Sequence, residues 1–158
     1  MDIAAAIRDE MADAWLPTIY RDKVRSGRTR AYKLDIPARQ NQAEIQYTLL
    51  GIELKVGRRR FACPELATAR YLRVFARIGC REFALPYDIS QISGIADELE
   101  TSWQLSLVLL DKAKVDRVEG LARLVKAVRA EIAEIGPGEA MPLFDRETKQ
   151  RPLPRSDR

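Results

Sequence analysis

AYKLDIPARQNQAEIQYTLLGIELKVGRRRFACPELATARYLRVFARIGCREFAL, residues 31–85, changes its apolar period twice, and those changes decide the fold. From Ala31 to Ile36 the pattern alternates strictly. Tyr32, Leu34 and Ile36 share one face, with Lys33 and Asp35 on the other, which predicts a strand with one solvated side. Pro37 ends it. After a polar run over 38–42, Ile45, Tyr47 and Leu49 alternate with Glu44, Gln46 and Thr48, and Ile52, Leu54 and Val56 alternate with Glu53 and Lys55. Gly51 between these runs predicts either a tight reversal or a bulge in one long strand. Gly57 with Arg58, Arg59 and Arg60 reads as a hairpin tip, from which Phe61 and Ala62 return toward the core. At Pro64 the period becomes helical. Tyr71, Val74, Phe75 and Ile78 form one face up to Gly79, a helix stop, and Glu82 to Leu85 follows as a short apolar strand.

Toward the N-terminus, Ile3, Ile7, Met11, Trp15 and Ile19 recur four apart, which predicts a first helix that ends or kinks near Leu16 because of Pro17. Toward the C-terminus, Asp88 and Gln91 resemble a capping box before a helix running to about Leu110. A further helical repeat, Val115 to Ile135, ends at Gly136, Pro137 and Gly138, so the two segments predict an αα-hairpin or one bent helix. The expected class is α+β or α/β: a small mixed sheet in the order α-β-β-β-α-β with flanking helices, then a C-terminal helical hairpin. Residues 1–136 are expected to form a single globular domain, with an α/β core over 3–85 and the hairpin over 88–136. Residues 137–158 are expected to be a flexible tail containing prolines and arginines, docked at most through Met141, Leu143 and Phe144.

Composition removes several chemistries. The chain has 158 residues, no histidine and two cysteines, so it lacks a Ser/His/Asp triad and a self-contained four-ligand zinc site. Cys63 and Cys80 read as small buried hydrophobes. No phosphate-binding loop, dinucleotide fingerprint, nucleophile elbow or C-x-x-C occurs. The longest apolar run, Leu105 to Leu110, is far shorter than a membrane span, and the acidic N-terminus lacks the pattern of a secretory signal, so a soluble, cytoplasmic protein without a membrane partner is expected.

Charge is distributed unevenly. Residues 21–81 carry 15 Lys and Arg against 5 Asp and Glu, whereas the rest of the chain carries 12 against 18. Arg70, Arg73 and Arg77 fall on one side of the second long helix. With Arg58, Arg59 and Arg60 at the tip, and Arg25, Arg28 and Arg30 before the first strand, they form a candidate nucleic-acid-binding face. The alternative is a solvated face, paired with the chain's own acidic helices or with a second copy. The wide apolar run around Leu105 predicts a homodimer through the C-terminal helices.

Glu53-Leu54-Lys55 is the one constellation with chemistry: carboxylates converging from neighbouring strands can hold Mg²⁺ while a lysine stabilises charge at a phosphodiester. With the element order over 3–85, this E-x-K pair resembles the PD-(D/E)xK nuclease-like superfamily. The resemblance implies an Mg²⁺-dependent nuclease, with Glu53 and Lys55 as the catalytic pair and Asp35 or Glu44 as the upstream acid. Asp35 and Glu53 would be metal ligands. Alternation alone also accounts for Glu53 and Lys55, as charges on one polar strand face. The sequence therefore favours a small non-enzymatic binding protein that uses its basic face on nucleic acid or another polyanion and needs no cofactor. The nuclease is one alternative, and a protein-interaction or scaffold subunit with an acidic partner is another.

Overall fold

The computed structural model describes residues 2–138, and the expected tail beyond Gly138 lies outside them. The chain has an α+β fold. Helix α1 (Ile3–Met11) is capped by the Asp2 side chain. It breaks at Ala12, where φ is +51°, into a short 3-10 turn. Helix α2 (Leu16–Ile19) then begins with Pro17 in its first turn and runs into a π-helical turn over Tyr20–Val24. The break lies upstream of the expected site near Leu16. A proline disrupts the turn before it and is well accommodated in the first turn of a new helix. The apolar stripe survives this, since Ile3, Ile7, Met11, Trp15 and Ile19 are all buried.

The strands are β1 (Thr29–Lys33), β2 (Ala43–Thr48), β3 (Gly51–Val56), β4 (Arg59–Cys63) and β5 (Glu82–Pro86). They form two antiparallel sheets, β2-β3-β4 and β1-β5, in place of the expected single mixed sheet. Gly51 closes a tight reversal, with Thr48 opposite Gly51 and a two-residue turn at Leu49 and Leu50. Four strands, not three, precede the next helix, because Arg59 and Arg60 belong to β4 and the tip is only Gly57 and Arg58.

Helix α3 (Leu66–Ile78) places Tyr71, Leu72, Val74, Phe75 and Ile78 in the core. It ends in a Schellman turn: Gly79, at φ +84°, donates its N–H to Ala76, and the Cys80 N–H reaches the Phe75 carbonyl. Helices α4 (Ile89–Lys112) and α5 (Arg117–Ile135) form a hairpin, each capped by an aspartate, Asp88 and Asp116. Asp88 caps through Ser90, and Gln91 contributes only its backbone N–H. Among the described residues, no helix is long and apolar enough to cross a membrane.

The β1-β5 pair stands alone because side chains complete it. Ala84 lies opposite Ala31 in a pair whose main-chain groups point away from β1. The Ala84 N–H donates to the Tyr20 hydroxyl at 2.8 Å, and the Ala84 carbonyl accepts from the Tyr71 hydroxyl at 2.5 Å. The Tyr20 hydroxyl in turn donates to the Gly136 carbonyl at 2.7 Å, tying the end of α5 to the sheet. Two phenols thus stand where a third strand would pair. Tyr20→Phe leaves a buried N–H without an acceptor and is expected to cost about 2 kcal/mol. Urea denaturation checks this, and an unchanged midpoint would show that another acceptor takes over.

Candidate functional site

The expected phosphate-binding arginines of the hairpin tip and α3 are mostly engaged within the chain. Arg70 donates to Asp97 and, at 2.9 Å, to Glu100, and Arg73 donates to the other Glu100 oxygen, so both clamp α3 to α4. Arg77 is half-buried one turn further along. Burial and the neighbouring Arg73 lower its guanidinium from the ordinary value, against the pull of Glu100. Arg59 pairs with Asp35, and Arg60 donates to Glu53 at 2.9 Å and to Gln46 at 3.3 Å. Of the six at the hairpin tip and on α3, Arg58 alone is both exposed and without a carboxylate partner among the described residues.

The E-x-K constellation is brought together only in part. Glu44 lies directly opposite Lys55, and Glu53 opposite Gln46, so Glu44, Glu53 and Lys55 share the outer face of the three-stranded sheet. Asp35 lies beyond the end of β1, paired with Arg59. With Asp35 and Glu53 each held by an arginine, these donors do not form the convergent oxygen set that Mg²⁺ requires. Among the described residues, no three Asp, Glu, Cys or His side chains converge on a metal position. Both cysteines are free and buried. Burial pushes the Cys80 thiol up to about 12 and raises Cys63 as well, which leaves neither as a ready nucleophile.

A different constellation lies where the two sheets part. A cleft of about 470 Å³ runs between β1-β5, the end of β4 and the first turns of α3 and α4. Its floor is apolar, with Leu72, Leu85 and Ile92 buried there. Its polar groups are the Arg30 guanidinium, the Thr68 hydroxyl and the phenols of Tyr32 and Tyr87. Arg28 stands over the Tyr87 ring at 5.1 Å, a cation–π contact at the mouth. Neither Arg28 nor Arg30 has a carboxylate partner among the described residues, whereas Arg59, Arg60, Arg70 and Arg73 all do. Burial raises the Tyr32 phenol from its ordinary value, with Cys63 adding to the rise and Arg30 opposing it, so the hydroxyl stays protonated as a donor. The local origin is simple: Arg28, Arg30 and Tyr32 are two apart along an extended segment, which puts two cations and a ring on one face.

Sequence reasoning placed Arg28 and Arg30 on the candidate basic face but missed the cleft and its tyrosines, because it began the strand at Ala31 and set the two arginines in a preceding loop. The readable signal was the Arg28-x-Arg30-x-Tyr32 alternation. No protein-family model, curated protein or solved structure matches the chain.

Proposed function

We propose that the protein is a non-enzymatic binder of single-stranded nucleic acid. One unstacked base enters the cleft between Tyr32 and Tyr87, and the adjoining phosphates lie on Arg28 and Arg30. The observation that carries the reading is the coincidence of two uncompensated arginines with two half-exposed tyrosines at the mouth of an apolar cleft. Single-strand sites combine these parts: cations that follow the backbone and rings on which any base can stack. A volume of about 470 Å³ lies within the range of ordinary small-ligand sites, roughly 300–1,000 Å³. The Thr68 and Tyr hydroxyls offer hydrogen bonds to a base edge without fixing its identity.

Fluorescence anisotropy with labelled single-stranded and duplex oligonucleotides over a salt series tests the proposal. The expected result is tighter binding of the single strand, with affinity falling linearly in log salt. Arg30→Ala is expected to weaken binding about tenfold and to lower the salt slope by about one phosphate. Tyr87→Ala is expected to weaken it about tenfold or more, the worth of one stacked base, while leaving the slope nearly unchanged. Arg58→Ala, at the distant tip, is expected to leave both unchanged. Duplex binding as tight as single-strand binding, or no binding at low salt, would overturn the reading.

A further inference from the structure

The β2-β3 hairpin ends in the two most exposed large apolar side chains of the described residues, Leu49 at 106% and Leu50 at 98% of their full exposure, with Tyr47 beside them at 70%. They are held outward by a defined turn. The Thr48 hydroxyl donates to the Gly51 carbonyl at 3.1 Å and accepts from the Leu50 N–H at 3.1 Å. Strand β2 is also a sheet edge. Its two-residue turn makes Thr48 and Gly51 the closing hydrogen-bonded pair, so the alternation turns the main-chain groups of Ile45 and Tyr47 away from β3. Among the described residues, no backbone group pairs with them across that edge.

Folded proteins protect such edges with lysine, proline or bulges. The opposite edge, β4, carries Arg59 and Arg60, whereas β2 reads Ala-Glu-Ile-Gln-Tyr-Thr, with an uninterrupted register and Glu44 as its one charge. We infer that a second copy of this chain covers the β2 edge, joining two three-stranded sheets into a six-stranded antiparallel sheet about a two-fold axis at Gln46. The register follows from the strand itself. With Gln46 opposite Gln46, each Ile45 faces the other copy's Tyr47 and exchanges both main-chain hydrogen bonds with it, giving four in all. Glu44 then meets Thr48, so no like charges oppose, and the two amides at the axis pair donor to acceptor. A register centred on Ile45 sets Tyr47 against only the small Ala43, and one centred on Tyr47 sets Ile45 against Leu49, which lies in the turn beyond the strand.

Sedimentation velocity of the full chain over a range of concentrations tests this. The expected result is a monomer–dimer equilibrium in the micromolar range. Tyr47→Pro removes an outward N–H and the ring that faces Ile45, takes no donor from the β2-β3 ladder, and is expected to abolish the dimer. Gln46→Lys and Gln46→Glu, on the outer face, are each expected to weaken self-association several-fold by opposing like charges at the axis. An equimolar mixture of the two is expected to restore it as a mixed dimer. Wild-type protein that stays monomeric would overturn the inference. So would a dimer that survives Tyr47→Pro and both Gln46 variants, which would place the interface elsewhere, such as along α4 at Leu105 and Val108.

Discussion

Gly79→Ala is expected to lower stability by about 3 kcal/mol or more, read as a fall in the urea midpoint followed through the buried Trp15 and Trp103. Two costs add. The residue sits at φ +84°, a conformation that costs a residue with a Cβ about 1–2 kcal/mol. A Cβ there would also lie 2.2 Å from the Arg39 carbonyl oxygen and 2.6 Å from its nitrogen, so backbone must move. That backbone is not free to do so. The buried Asn41 side chain donates to the carbonyls of Pro37, Arg39 and Ala76, and its N–H reaches Arg77, stapling the loop to the end of α3. Gly57→Ala is the control: its φ is +62° with nothing within 4 Å of a Cβ, so only the conformational cost applies. A difference of about 2 kcal/mol between the two variants isolates the clash. Equal losses would show that the 37–41 loop yields.

The sequence carried the parts of this fold that depend on period and punctuation. Ile3 to Ile19 gave a buried stripe, Gly79 a helix stop, and the alternation of 43–56 extended chain on both sides of Gly51, because each is a property of neighbours along the chain; that Gly51 reverses the chain and does not bulge it is shown by the pairing. Pairing between distant strands is not such a property. Alternation states which side chains share a face, and it is silent on whether β5 docks beside β4 or β1. The choice rests on Tyr20 and Tyr71, whose hydroxyls take up Ala84 from 64 and 13 residues away. The same limit applies to charge. Arg70 and Arg73 read as a phosphate-binding stripe until α4 folds back and sets Glu100 between them, 30 and 27 residues downstream. The cleft was hidden for this reason too, since β1, β4, β5, α3 and α4 each contribute to it.

Glu100→Gln, nearly isosteric, is expected to cost about 2 kcal/mol at neutral pH. Glu100, Arg70 and Arg73 are only 22%, 25% and 21% exposed at their side chains, so the bonds are shielded from solvent more than ordinary surface pairs. A glutamine there leaves two cations facing a neutral amide, with Arg77 adding repulsion from the next turn. The Arg73 Nε, buried without a partner among the described residues, gains nothing from the change. Burial alone would raise the Glu100 carboxyl, but the hydrogen bonds and charges of Arg70 and Arg73 outweigh it and hold the group below the ordinary carboxylate value. The sign of the pH dependence follows. Because the folded-state value is depressed, the stabilisation is fully present above the unfolded value of about 4.3 and is lost as pH falls through the folded one. Wild-type and Glu100→Gln protein are therefore expected to differ most at pH 5–7 and to converge in acid. A gap that stays constant on acidification would assign the loss to packing instead of charge. The variant also separates the two sets of arginines: it deprives Arg73 of its carboxylate and leaves Arg70 only Asp97, so weak, strongly salt-dependent binding of duplex should increase, while the single-strand site at Arg28, Arg30, Tyr32 and Tyr87 keeps its affinity.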